Sequence, residues 1–112
     1  MVKTAQTLSR IVALKRQKAE QSLALLQAAL RHARDDLAQL DALLASSNNV
    51  SHDFETLKLA TQNGHLRRVL HDIDRKKAEI AGIENQLDEA REALKQILMS
   101  EDELSKMNAA RR

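Results

Sequence analysis

The side chains that could catalyse a reaction or hold a metal ion are scattered along this sequence. Zinc ligands that share one helix face are three or four residues apart. No two of the four histidines have that spacing; they are His32, His52, His65 and His71. Cysteine is absent, and two glycines are too few for a phosphate-binding loop. We therefore expect no metal site, no cofactor and no small-molecule substrate.

Closely spaced acidic residues are the other candidates for catalysis. They occur at Asp35-Asp36, at Asp72 with Asp74, and at Asp88-Glu89. Acid–base catalysis needs carboxylates that converge in a water-poor cleft. These lie beside Arg or Lys, at spacings typical of a charged helix surface. We therefore expect no catalytic residues and no enzymatic activity.

Two apolar stripes predict the elements that carry these residues. The spacings alternate between three and four, apart from two spacings of seven in the second stripe, and this is the heptad pattern of a coiled coil. We call the first stripe the first seam; it comprises Val12, Arg16, Ala19, Leu23, Leu26, Leu30, Ala33, Leu37, Leu40 and Leu44. The second seam comprises Leu59, Leu66, Val69, Ile73, Lys76, Ile80, Ile83, Leu87, Ala90, Leu94, Ile97 and Leu104. Phe54 is the only aromatic residue and most other residues are strong helix formers, as is typical of long helices.

The polar sequence SSNNVS separates the two seams at residues 46–51 and favours a turn. We predict an all-α fold, a two-helix antiparallel coiled-coil hairpin that forms one domain over residues 1–112. The helices are expected at about 5–45 and about 52–108, with Ser51 as N-cap and Asp53 near the positive end of the second helix. The second helix is longer. Because its seam crosses Asn63-Gly64 in phase, we expect it to be continuous or kinked there.

Two seam positions hold a cation, Arg16 and Lys76. A charged seam residue can fix the register of two helices or their number, at a cost in stability. A long side chain can also lie along the seam with its charged end in water. We favour the second interpretation.

Several large apolar residues lie outside the seams: Ile11, Leu14 and Leu25 in the first half, and Leu70, Leu98 and Met99 in the second. We favour a wider apolar face that wraps the partner helix, as core-facing helices often have. The alternative is a docking surface for another subunit. On that alternative the candidate partner-binding residues are Arg10, Ile11, Leu14, Lys15, Lys18, Leu70 and Leu98.

Residues 1–18 hold five cations and no acidic residue. This segment can be a solvated helix end, which we favour, a surface for an acidic protein, or a phosphate-contacting surface. We do not expect nucleic-acid binding, because single-strand binders stack bases on aromatic residues. No stretch is apolar enough to span a bilayer, and bulky aromatic membrane anchors are missing, so we expect no membrane insertion.

Both ends of the chain resemble those of a known family. Residues 8–30, LSRIVALKRQKAEQSLALLQAAL, resemble the basic, leucine-marked first helix of the FliJ family of flagellar type III export and its YscO-like relatives. Residues 90–112, AREALKQILMSEDELSKMNAARR, resemble their second helix. The resemblance implies a cytoplasmic antiparallel coiled coil that acts as the stalk linking an export ATPase ring to the export gate. It also implies handling of export chaperones, with no hydrolysis by the stalk itself.

The alternative function is structural, a self-assembling coiled coil such as a dimer that forms a four-helix bundle. The sequence therefore leaves a homodimer open beside a complex with export proteins. A prefoldin-type chaperone would need β-strands between the helices, and residues 46–64 show no alternating β-branched run.

Overall fold

The computed structural model describes the backbone of residues 2–48 and 55–110 and the side chains of residues 4–46 and 64–110. Two α-helices account for this part of the chain, α1 (Val2–Asn48) and α2 (Glu55–Ala110). No β-strand occurs among the described residues. The predicted all-α, two-helix hairpin is confirmed.

The helix ends differ from the predicted ones. α1 continues through Asn48, so the prediction of a turn at residues 46–51 is wrong for residues 46–48, which are helical. The Ser46 hydroxyl donates a hydrogen bond of 3.0 Å to the Leu43 carbonyl, which offers serine a partner inside the last turn of the helix. The rest of the predicted turn, and with it Ser51, Asp53 and Phe54, lies outside the described residues.

The Asn63-Gly64 sequence lies within α2, which is continuous from residue 55 to residue 110. No described glycine has a positive φ angle. A heptad pattern in phase on both sides of a glycine is therefore compatible with an unbroken helix, at a propensity cost of about 1 kcal/mol relative to alanine.

Contacts divide the chain into two units, and each unit contains a segment of both helices. Unit 1 comprises Met1–Ala28 and Asn85–Arg112, and unit 2 comprises Ala29–Glu84. In unit 2, Arg34 contacts Glu84 and Asp36 contacts Lys76. The later residue of α1 thus contacts the earlier residue of α2. In unit 1, Arg16 contacts Glu101, while α1 residues before it share a groove with later α2 residues. Both helix pairings are therefore antiparallel.

The seams form the interface within each unit. Every described side chain of the two seams is buried or half-buried, as the heptad pattern predicts; that of Leu59 lies outside the described side chains. Four apolar side chains are buried among those described. Ala33, Val69 and Ile73 belong to unit 2, and only Leu87, 2% exposed, belongs to unit 1.

Candidate functional site

Large apolar side chains are exposed mainly in unit 1. Of the nine such side chains among the described residues, seven belong to this unit: Leu8, Ile11, Leu14, Leu25, Leu98, Met99 and Met107. Leu14 is 64% exposed and Leu25 is 72% exposed. The predicted wider apolar face that wraps the partner helix is therefore wrong. These side chains are not buried in the hairpin and are free to contact another molecule.

Five predicted partner-binding residues belong to α1 of unit 1. Ile11, Lys15 and Lys18 follow one another at spacings of four and three, so they share one face of the helix. Leu14 lies next to that face, and Arg10 is one turn before Leu14. All five side chains are exposed. The structure therefore places them on one connected part of the α1 surface.

The other two predicted partner-binding residues lie elsewhere. Leu98, on α2 of unit 1, directly follows the seam residue Ile97 and is 46% exposed. Leu70 belongs to unit 2, where it directly follows the buried Val69. The predicted residues therefore do not form a single cluster.

The cations of residues 1–18 differ in their partners. Arg16 forms an ion pair with Glu101 of α2, its Nε lying 2.9 Å from Oε1. Arg10, Lys15 and Lys18 are exposed and take part in none of the ion pairs found among the described residues. The Lys3 side chain lies outside the described ones. Arg10, Lys15 and Lys18 therefore keep their charge available for an external acidic group.

The Arg16–Glu101 pair forms a polar layer in the seam of unit 1. The two side chains are 43% and 30% exposed, yet Nε of Arg16 and Oε1 of Glu101 are themselves buried. Neither atom has a hydrogen bond of good geometry, so the pair is held by charge rather than by a directed N–H···O bond. The expectation that the charged end of Arg16 lies in water is wrong for its Nε atom.

The second seam cation, Lys76, is also paired. Its Nζ donates hydrogen bonds to Glu79 Oε2 at 2.9 Å and to Asp36 Oδ2 of α1 at 3.3 Å. The hydrogen bond to Glu79 raises the pKa of Lys76, partial burial lowers it somewhat, and the hydrogen bond to Asp36 raises it further. Because Asp36 and Lys76 lie on different helices, this pair supports the register-fixing interpretation.

The two acidic partners were missed in the sequence. Glu101 lies seven residues after Leu94, so the heptad spacing of the second seam is the signal that could have identified it as facing α1. Asp36 directly precedes the seam residue Leu37 and only flanks the seam. Its contact with Lys76 depends on the register of the two helices, which the sequence left open.

The described residues do not form a metal-binding cluster. No group of three or more His, Cys, Asp or Glu side chains among them could hold a metal ion. None of the helical stretches that the structure describes is long and apolar enough to cross a bilayer. The feature that sets unit 1 apart is its larger number of exposed large apolar side chains, and these favour binding to a protein surface.

Comparisons with protein-family models, with curated proteins and with solved structures found no match for this chain.

Proposed function

We propose that the protein is a non-enzymatic coiled-coil component of a flagellar or type III protein export apparatus. In this role it acts in the cytoplasm as a stalk or adaptor between the export ATPase and the export gate, and it handles export chaperones. The proposal combines the resemblance of residues 8–30 and 90–112 to the FliJ family with the surface of unit 1.

The observation that carries the binding role is the surface around Arg10 and Leu14. Leu14 is 64% exposed and Arg10 is an exposed cation one turn away. Arginine is enriched in protein interfaces, and the exposed leucine beside it adds apolar area that a partner can bury. Arginine also attracts acidic partners from a distance, and that attraction weakens as salt is added.

Capture of a purified hexameric export ATPase by the full chain tests this proposal. We expect association at low salt that weakens as salt rises, because exposed charges are screened. Arg10→Glu combined with Leu14→Glu should weaken capture by about tenfold or more, since it removes the anchor and reverses the charge. Failure of the unmodified chain to associate at low salt would contradict the proposal.

A matched variant makes the same kind of change in unit 2. Arg67→Glu combined with Leu70→Glu also replaces one exposed arginine and one exposed leucine on a helix. Leu70 was itself predicted to bind a partner, but it belongs to unit 2, so the assignment to Arg10 and Leu14 predicts that capture stays within about twofold of the unmodified chain. Loss of capture by this variant alone would place the binding surface in unit 2 and overturn the assignment to Arg10 and Leu14.

A further inference from the structure

The distribution of apolar side chains in unit 1 indicates that this unit lacks a partner. It has seven large apolar side chains exposed and only Leu87 fully buried, whereas unit 2 has two exposed and three buried apolar residues among those described. Small helical units with thin cores usually gain further burial by association.

One exposed line of residues on α1 runs beside the first seam. Its members are spaced alternately by three and four, so they form a continuous line along the helix. It contains three large apolar residues and two lysines but no acidic residue. We call it the α1 strip, and it comprises Leu8, Ile11, Lys15, Lys18, Ser22 and Leu25.

A corresponding exposed line runs beside the second seam on α2. It has the same alternating spacing and contains one acidic residue and no cation. Small residues occupy half of its positions, which lets another helix approach closely. We call it the α2 strip, and it comprises Ala93, Gln96, Ser100, Glu103, Met107 and Ala110.

Both strips lie on the same side of unit 1. The groove in this unit is lined by Ala13 of α1 and Ser105 of α2, each of which directly follows a seam residue, Val12 or Leu104. Positions that directly follow those seam residues therefore share one side of the helix pair. The strip residues instead directly precede seam positions, as Lys15 precedes Arg16 and Glu103 precedes Leu104. The two strips therefore lie on the other side of the helix pair and form one surface there.

We propose that two copies of this chain associate through this surface, with the α1 strip of each copy against the α2 strip of the other. A twofold axis parallel to the helices places α1 of one copy opposite α2 of the second. Rotation about this axis does not shift any residue along it, so residues at the same height within one copy face each other between the two copies. The Arg16–Glu101 contact sets that level within one residue. With this alignment of the antiparallel helices, the facing residues of the two strips are Leu8–Ala110, Ile11–Met107, Lys15–Glu103, Lys18–Ser100, Ser22–Gln96 and Leu25–Ala93.

The side chains in these pairs are complementary. Three pairs join two apolar residues, one joins opposite charges, and two join polar or charged residues that can hydrogen-bond. This match explains why a second copy is a better occupant than an unrelated acidic helix. Both complementary strips belong to the same molecule and are aligned with each other along the helices. A twofold dimer therefore forms the same strip-to-strip contact twice.

Charge reversal at the Lys15–Glu103 pair tests the proposal by sedimentation equilibrium of the full chain. We expect the unmodified protein to be a dimer. Lys15→Glu alone, or Glu103→Lys alone, puts like charges opposite each other at two symmetric places and should weaken dimerisation about tenfold or more. An equimolar mixture of the two variants should restore dimers, because each strip again meets an opposite charge.

Two controls accompany the sedimentation experiment, a charge reversal outside the strips and a measurement of helix content. Lys95→Glu makes the same charge change on an exposed α2 residue outside both strips and should leave dimerisation within about twofold. Circular dichroism should show unchanged helix content in every variant. The proposal is overturned by an unmodified chain that stays monomeric at millimolar concentration, by a mixture that fails to restore dimers, or by an equal loss with Lys95→Glu.

Discussion

Individual charged residues in the two seams show how the helices are aligned. Arg16 and Lys76 occupy positions that a coiled coil normally fills with apolar side chains, and each contacts an acidic residue of the other helix. A leucine seam tolerates a shift of one heptad, since similar side chains then meet again. A shift would separate Arg16 from Glu101 and leave charged atoms buried without a partner, which is unfavourable. The two ion pairs therefore select one register.

The Glu101→Gln substitution tests this role in unit 1. The amide has nearly the same size but no charge, so Arg16 loses its counter-charge in a partly buried site. We expect a loss of about 1 kcal/mol in the free energy of unfolding, between the values for exposed and for buried ion pairs. Urea denaturation measures this.

The matched comparison is the double substitution Arg16→Leu with Glu101→Leu. Replacing both charges by apolar side chains also removes their desolvation cost, so we expect stability equal to or above that of the unmodified chain. A double variant that is less stable than Glu101→Gln would show that the ion pair itself stabilises the hairpin.

Lys76 should make stability depend on pH in the alkaline range. Its pKa is raised above the ordinary 10.5, chiefly by the hydrogen bond to Glu79. The folded protein therefore holds this proton more tightly than the unfolded chain does. The resulting stabilisation is fully present below about pH 10.5 and is lost as pH rises through the raised pKa.

Comparison with Lys76→Met isolates this effect from the titration of the other lysines. We expect the difference in unfolding free energy between the two proteins to be constant below about pH 10 and to shift against the unmodified chain above that. Thermal or urea unfolding across this range measures it. A difference that stays constant to about pH 12 would mean that the pKa of Lys76 is the same in the folded and unfolded states.

Each helix presents different side chains on its different sides. The seams lie between α1 and α2, whereas the strips beside them carry four of the seven exposed large apolar side chains described in unit 1. Such division of one helix into faces follows from the helical period, because residues three and four apart share a face. It also explains why apolar residues outside the seam stay exposed. In a two-helix pairing, only one face of each helix is covered.

The continuity of α2 at Gly64 leads to a prediction about stability. Apart from the local helix backbone, a β-carbon built at Gly64 or at Gly82 meets no atom of the described residues within 4 Å. Gly64→Ala should therefore raise the free energy of unfolding by about 0.5–1 kcal/mol, because alanine loses less conformational entropy in a helix. Urea denaturation of the variant measures the change.

Gly82→Ala is the matched control, at a second exposed position inside α2. We expect the two variants to be stabilised by similar amounts. Stabilisation by Gly82→Ala together with destabilisation by Gly64→Ala would contradict a continuous helix at Gly64, since a turn with positive φ disfavours alanine.

At the scale of the whole molecule, stability should be linked to assembly. Among the described residues, unit 1 has seven of the nine exposed large apolar side chains and one of the four buried ones, so association of two copies would add burial where the single chain has least. A ligand or second copy that binds only the folded state raises its stability by mass action. Folding and dimerisation are therefore expected to be coupled.

The midpoint of thermal unfolding should accordingly rise with protein concentration for the unmodified chain. In Lys15→Glu, whose dimers are weakened, the midpoint should depend less on concentration over the same range. Scanning calorimetry at several concentrations measures both. Equal midpoints at all concentrations for the unmodified chain would contradict the coupling.

The sequence by itself determined the two helices and the residues that lie between them. The alternation of Leu, Ile and Ala at spacings of three and four requires a helical period, and any helix with that pattern buries that line of residues. Tertiary structure decided how the lines align. It paired Arg16 with Glu101 and Lys76 with Asp36, and it left Leu14 and Leu25 exposed. Heptad periodicity repeats every seven residues, so it fixes which face is buried but leaves open the register in which the two helices meet.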